Sequence, residues 1–141
     1  MSKQIMTIYR SAWYSTNVAN AVTKVELNTA SSTHTGNLSY SNNAIKIGAG
    51  ISKIKVSARL SFDMHDWVGE VDIIIMKNNT TPIYLFGGEE KAKADTASVI
   101  MPLILDVQEN DEIALAYCKS DSKLLHILAG LGSNLTVEVI K

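Results

Sequence analysis

The most reactive side chains in this sequence lie together at positions 63–67, Asp-Met-His-Asp-Trp. The carboxylates of Asp63 and Asp66 and the imidazole of His65 are competent ligands for a divalent cation. The same run is also typical of a polar loop that closes a strand, with Trp67 packed over its edge. A metal site needs further ligands from elsewhere in the chain, and no spacing in the sequence identifies them. We favour the polar loop and predict no metal site and no cofactor.

Nucleophilic catalysis has no signature here. The sequence contains no Gly-x-Ser-x-Gly, no phosphate-binding loop and no paired cysteine motif. The single cysteine, Cys118, ends an apolar run typical of a strand, which favours a buried thiol over a nucleophile. His34 lies in a polar stretch and His126 in an apolar one, and the His-x-His cluster typical of cupin metalloenzymes is missing. We predict that the chain has no catalytic residues and is not an enzyme.

Aromatic side chains provide the candidate ligand contacts. Trp13 and Tyr14 follow Tyr9 near the N-terminus, and Tyr40 lies in the Ser/Thr/Asn-rich stretch 28–43. Exposed aromatic rings beside Asn and Ser suit stacking on sugars or contact with proteins. Aromatic residues near a terminus also serve to dock the terminal strand on the body of a domain. Both alternatives stay open, and we take Trp13, Tyr14 and Tyr40 as candidate ligand contacts.

The elements that position these residues are predicted to be β-strands. Residues 54, 56, 58, 60 and 62 are Ile, Val, Ala, Leu and Phe, and the residues between them are Lys, Ser, Arg and Ser. Strict period two predicts a strand with one buried and one exposed face. The pattern recurs along the chain, whereas helical periodicity does not. The predicted strands are residues 4–9, 22–27, 44–47, 51–64, 68–77, 83–86, 96–107, 113–118, 124–129 and 135–140, with a short irregular one around 38–40.

About ten strands joined by short turns predict an all-β jelly-roll sandwich formed by residues 1–141 as one domain. Residues 1–21 are predicted to be an N-terminal strand or arm, and residues 22–141 the core of the sandwich. With 13 basic and 14 acidic side chains and a net charge of −1, the chain has no basic patch for nucleic acid. The longest apolar run, 99–105, is too short for membrane insertion, and we see no secretion signal.

Three predicted strands, within 71–76, 99–107 and 113–118, have apolar residues on both faces. A two-layer sandwich has one interior, so a second apolar face needs a cover from loops or from another subunit. Because extended exposed apolar patches are uncommon on monomers, we predict that the chain forms an oligomer. The candidate interface residues on these second faces are Ile74, Met76, Ile100, Ile104, Ala114 and Ala116.

Residues 43–62, with a short strand, a Gly-Ala-Gly turn and a long alternating strand, resemble the jelly roll of the tumour necrosis factor superfamily and the globular head of complement component one, subcomponent q. Residues 104–117, a strand, an acidic turn and an apolar strand, are similar to a second part of that fold, and residues 134–140 to its closing strand. More narrowly, residues 22–141 resemble versions of the fold in bacteriophage and prophage structural proteins. The aromatic-rich long strand of animal relatives is replaced by Ala-Arg-Leu-Ser-Phe at 58–62, and no collagen stalk is present.

The resemblance implies a homotrimer, which would also cover the second apolar faces. We therefore expect a non-enzymatic, trimeric structural or adhesive protein of a virion, in a fibre, a tail tip or a capsid decoration. Its expected partner is a cell-surface glycan or another virion protein, bound by three weak sites through avidity. The expected location is the virion, or the host cytoplasm before assembly. The alternatives are a purely architectural trimer without a receptor and, less favoured, a cupin-like metalloenzyme.

Overall fold

The computed structural model describes residues 3–12, 14–16, 21–63, 71–78, 81–86, 95–119, 125–127 and 130–141. These residues form thirteen strands and no helix, so no helix among them could cross a membrane. The strands are β1 (Ile5–Arg10), β2 (Tyr14–Thr16), β3 (Thr23–Lys24), β4 (Thr29–Ala30), β5 (Leu38–Ser41), β6 (Ala44–Ile47), β7 (Lys53–Asp63), β8 (Val71–Lys77), β9 (Thr81–Phe86), β10 (Asp95–Asp106), β11 (Glu112–Lys119), β12 (Leu125–Ile127) and β13 (Gly130–Val139).

The strands form two sheets, and neighbouring strands within each sheet are antiparallel at every described pairing. The seven-stranded sheet has the order β2-β12-β7-β13-β1-β4, with β10 on the other side of β7. The six-stranded sheet has the order β5-β6-β11-β8-β9, with β3 paired to β11. The last strand, β13, lies between β1 and β7, so the chain closes in the middle of its sheet. The prediction of an all-β sandwich is confirmed.

The core lies between the two sheets and follows the alternation seen in the sequence. On β7, Ile54, Val56, Ala58 and Leu60 are 0–3% exposed. They belong to one cluster with inward residues of β8 and β11, including the fully buried Tyr117. Each fully buried aliphatic side chain contributes about 1.5–3 kcal/mol through loss of apolar surface from water. The strand with the clearest period-two pattern therefore holds the centre of the core.

Some short strands are missing from the sequence-based prediction. The polar stretch 28–43 contains β4 as well as β5, and β2 follows position 13 near the N-terminus. The predicted strand 22–27 is reduced to Thr23–Lys24, although Val25 and Leu27 beyond it are fully buried. Strands of two or three residues carry too few positions to show a period, and their pairing partners lie far away in the chain.

A β-bulge in β10 changes which residues share a face. Ile100 pairs with Ala58 and Leu103 pairs with Val56, so three steps on β10 match two on β7. The extra residue falls at positions 101–102, where Pro102 cannot donate a hydrogen bond to the ladder. The sequence placed Ile100 and Ile104 on one face. Their register positions lie on opposite faces, because the bulge shifts the alternation by one residue.

Left-handed asparagines shape two of the turns. Asn42 and Asn43 connect β5 to β6 and have φ angles of 50° and 64°, which makes a two-residue hairpin of the type favoured by the twist of the strands. Asn110, in the turn between β10 and β11, has φ of 75°. Asparagine tolerates this conformation better than most residues, which explains its use at these tight turns.

Candidate functional site

The face of the seven-stranded sheet that points away from the core is called the outward face here, and small hydroxyl side chains lie at its centre. The strand register aligns Thr7 of β1, Thr136 of β13 and Ser57 of β7 in one row. The hydroxyl oxygens of Thr7 and Thr136 share a hydrogen bond at 2.8 Å. Because the side chains in this row are small, another protein surface can approach the strands closely.

Charged side chains cross the outward face beside the hydroxyl row. A carboxylate oxygen of Glu138 lies 3.4 Å from the ammonium nitrogen of Lys3, and its other oxygen lies 3.8 Å from that of Lys55. Lys53 pairs with Asp106 at 3.2 Å, and the Asp106 side chain is 87% exposed. Exposed ion pairs contribute about 0–1 kcal/mol to folding. These pairs therefore define the charge pattern of the face more than the stability of the fold.

Two exposed isoleucines flank the charged row. Ile104 is opposite Lys55 in the register, and 52% of its surface is exposed. Ile140 is 44% exposed, and its N–H donates a 2.9 Å hydrogen bond to the Lys53 carbonyl. Among the described residues, Ile104 is the most exposed large apolar side chain. The outward face thus combines a polar centre of small side chains with isoleucines that are still about half exposed to water.

The other candidate interface residues lie elsewhere. Ile74, Met76, Ala114 and Ala116 are on the side of the six-stranded sheet away from the main core, where they form a small cluster with Ala44. All of them are 0–7% exposed in the single chain. For Ile100 only the backbone is described, as a residue of β10 paired with β7. A role of these residues in subunit contacts stays a prediction.

Tyr14, a candidate ligand contact, makes its polar contacts within the chain. Its ring packs against the main core, and its hydroxyl accepts a 3.0 Å hydrogen bond from the backbone N–H of Glu26. The Arg10 guanidinium lies 4.5 Å from the centre of the ring, a distance suited to a cation–π contact. Burial raises the pKa of Tyr14 to about 12, against the opposing effect of the Glu26 hydrogen bond. These contacts fasten the segment around Glu26 to the body of the domain.

Tyr40 is 38% exposed, and its hydroxyl bonds to Leu27, the residue that follows Glu26. The oxygen lies 2.9 Å from the Leu27 carbonyl and 3.0 Å from Oδ1 of Asn43, and it accepts a 3.2 Å hydrogen bond from the Asn43 N–H. The structure therefore brings Tyr14 and Tyr40 to consecutive backbone positions, 26 and 27. Trp13 lies outside the described residues. Ligand contact by the three aromatic residues stays a prediction.

An ionised carboxylate organises the turn between β10 and β11. Asp111 accepts hydrogen bonds from the Asn78 side-chain amide at 3.1 Å and from the Gln108 N–H at 2.9 Å. The Lys77 ammonium lies 3.9 Å away. Burial opposes ionisation, but the two hydrogen bonds and the lysine charge outweigh it, and the pKa of Asp111 is lowered from its ordinary value of 3.8. The turn is therefore tied to the end of β8.

The hypothesised cation ligands at positions 63–67 fall almost entirely outside the described part of the chain. Asp63 is described only as the last residue of β7, and residues 64–70 are not described. Within the described ranges, no group of three or more His, Cys, Asp or Glu side chains is placed to hold a metal ion.

No family model matches the chain, and no curated protein matches its sequence. Solved structures match its fold. Eiger TNF from S. frugiperda aligns with a TM-score of 0.69 and 8% identity, covering 100% of this chain and 94% of the other. Murine APRIL aligns with a TM-score of 0.65 and 9% identity, covering 98% and 99%. PRD1 vertex protein P5 aligns with a TM-score of 0.65 and 16% identity, covering 98% and 74%.

These similarities confirm that the chain has a jelly roll of the tumour necrosis factor type, a fold also present in a phage vertex protein. The identities are low, so the comparison establishes the fold and leaves function to the chemistry of the surface. Sequence reasoning named Ile104 as an interface residue but missed the polar part of the outward face, although the polar half of the β7 alternation already contained Lys55 and Ser57. The residues next to them come from β1, β10 and β13.

Proposed function

We propose that this chain, a jelly roll of the tumour necrosis factor type, is a non-enzymatic homotrimeric structural protein of a phage or prophage virion. Its likeness in fold to the PRD1 vertex protein supports the virion role, and the resemblance to the tumour necrosis factor superfamily implies the trimer. The protein would form part of a fibre, a tail tip or a capsid decoration.

The outward face is the observation that carries this proposal. It presents the row of small side chains Thr7, Thr136 and Ser57 beside the half-exposed Ile104. Protein–protein contacts combine apolar and polar groups, and the Glu138–Lys55 ion pair lies next to Ile104 in the strand register. We therefore place the contact between subunits on the outward face, with Ile104 as its apolar anchor.

An adhesive role extends this proposal. In a trimer, each ligand site is present three times, so weak individual binding becomes strong attachment to a surface with repeated receptors. A cell-surface glycan or another virion protein is the proposed partner. The alternative is a purely architectural trimer without a receptor, favoured by the internal hydrogen bonds of the Tyr14 and Tyr40 hydroxyls. A glycan array separates the two, because the architectural alternative predicts no specific binding.

Light scattering and sedimentation at several protein concentrations test the trimer. The wild-type protein should keep the mass of three chains, whereas Ile104→Lys should dissociate on dilution. Full burial of an isoleucine contributes about 1.5–3 kcal/mol, and 52% of Ile104 is still exposed. Each subunit therefore contributes about 1 kcal/mol, and loss of about 3 kcal/mol per trimer raises the dissociation constant at least ~100-fold. Val22→Lys is the matched control.

Val22 is 46% exposed and precedes β3, which belongs to the six-stranded sheet. It therefore offers a similar apolar surface away from the outward face. Its replacement by lysine should leave the mass unchanged. A wild-type monomer at all concentrations would refute the trimer. A trimer that tolerates Ile104→Lys as well as Val22→Lys would refute the placement of the subunit contact on the outward face.

A further inference from the structure

An open polar cleft of about 440 Å³ lies at the end of the sandwich where β10 leads into β11. This volume is within the range of about 300–1,000 Å³ found for small-molecule sites. Most such sites are largely apolar, whereas five of the six residues that line this cleft are polar or charged. They are Lys77, Asn78, Asp106, Val107, Gln108 and Asp111.

The wall of the cleft is held in place before any ligand arrives. Asp111 accepts hydrogen bonds from the Asn78 amide and from the Gln108 backbone. Asn78 also accepts a 2.8 Å hydrogen bond from the N–H of Glu112, and its own N–H donates to the Glu112 carbonyl at 2.8 Å. A preorganised wall lowers the entropic cost of binding, because few side chains have to be ordered by the ligand.

The cleft offers both hydrogen-bond donors and acceptors to a ligand. The Gln108 side chain is exposed, and its amide has no hydrogen-bond partner among the described residues. An amide of this kind donates through nitrogen and accepts through oxygen. The Lys77 ammonium has three N–H donors, of which Asp111 can occupy only part. The exposed Asp106 carboxylate, which also lines the cleft, adds acceptors.

The charges around the cleft balance. Lys77 lies next to Asp111, and Lys53 pairs with Asp106. An anionic ligand would meet two carboxylates, and a cationic ligand would meet the Lys77 ammonium. An apolar ligand would remove water from polar groups without replacing their hydrogen bonds, which is costly. A neutral ligand whose groups both donate and accept hydrogen bonds fits this lining best, and sugar hydroxyls have that property.

We propose that this cleft binds a neutral carbohydrate unit, with the Gln108 side chain as a direct contact and the Asp111–Asn78 pair as its fixed wall. Val107, at the edge of the core, provides an apolar contact for the C–H groups of a sugar ring. This inference rests on the adhesive part of the proposed function, and it places the ligand on a surface other than the aromatic residues. It does not depend on the trimer, because all lining residues belong to one chain.

Amide NMR spectra of the full chain, titrated with millimolar glucose, galactose, N-acetylglucosamine and their disaccharides, test the inference. At least one neutral sugar should shift the amide signals of Lys77, Asn78, Gln108 and Asp111. Gln108→Ala should weaken that binding about tenfold, as expected for loss of one hydrogen bond. Glu109→Ala is the matched control, because Glu109 is the exposed neighbour in the same turn and does not line the cleft. Glucosamine and glucuronate, which carry opposite charges, should bind more weakly than the neutral sugars.

Gln108→Ala keeps the backbone N–H that bonds to Asp111, so the turn should stay folded. An unchanged amide spectrum away from the cleft verifies that the rest of the variant is folded. Asp106→Ala is a second variant, at an exposed lining position, and should also weaken binding. Absence of cleft shifts with every neutral sugar overturns the inference. Equal affinity of wild type and Gln108→Ala overturns it as well. A trimer without sugar binding removes this inference and leaves the structural role, whereas a monomer that binds sugar keeps the cleft and removes the trimer.

Discussion

Ser133→Ala tests how the seven-stranded sheet is held together where its regular ladder stops. The pairing of β13 with β7 ends at Asn134 and Arg59, and β12 continues beside β7 from Phe62. Between these two ladders, the hydroxyl of Ser133 accepts a hydrogen bond from the Ser61 N–H and donates one to the Ser61 carbonyl, both at 3.2 Å. One side chain thus replaces two missing ladder bonds.

The expected loss follows from burial. Ser133 is 0% exposed and Ser61 is 6% exposed, so water cannot easily take over the two backbone groups. An unsatisfied buried donor or acceptor costs about 1–3 kcal/mol. With partial relaxation of the strands, Ser133→Ala should lower the free energy of unfolding by about 2–4 kcal/mol. Ser39→Ala, an exposed position on β5 of the other sheet, should change it by less than about 0.5 kcal/mol.

Urea denaturation at one fixed protein concentration measures both variants, since the stability of an oligomer depends on concentration. The slope with denaturant should stay unchanged, so that the shift of the midpoint reports stability. Hydrogen exchange adds a local readout, because the Ser61 amide should exchange faster in Ser133→Ala. If Ser133→Ala and Ser39→Ala unfold at the same midpoint, the Ser133 hydroxyl does not act as a substitute for the ladder.

Two further predictions concern titratable groups. Because the pKa of Asp111 is lowered in the folded chain, its stabilising effect is present above the ordinary value of 3.8 and is lost as the pH falls through the folded value. Denaturation midpoints should therefore differ between wild type and Asp111→Asn at neutral pH and converge in acid; a constant difference contradicts the assigned ionisation. Burial raises the pKa of Tyr14 from 10.0 to about 12, so an alkaline absorbance titration should show a late ionisation step, and Tyr14→Phe should remove that step. The same variant should lose about 1 kcal/mol of stability, because the Glu26 N–H loses its acceptor; an unchanged titration curve refutes the assignment.

The long strands follow directly from the sequence. The predicted segment 51–64 corresponds to β7 (Lys53–Asp63), and 96–107 corresponds to β10 (Asp95–Asp106). Both are long enough to show their alternation, and the alternation exists because neighbouring side chains of a strand point to opposite faces. The all-β class and the jelly roll could therefore be predicted from local patterns and element order.

Other features depended on partners that are distant in the chain. The hydroxyls of Thr7 and Thr136 meet across 129 residues, and no local pattern predicts such a pair. The bulge in β10 moved Ile104 to a face different from that of the Ile100 position, because one unpaired residue reverses the alternation beyond it. The cleft likewise joins the end of β8 to the turn after β10.

The sequence by itself determined which residues alternate, and hence the strands and the side of each that avoids water. Only the tertiary structure decided what each second face meets. Ile74, Met76, Ala114 and Ala116 are covered within one chain, while Ile104 stays half exposed on the outward face. The physical reason is that hydrophobic patterning fixes burial within a strand, whereas strand order, register and bulges decide which distant surfaces come together.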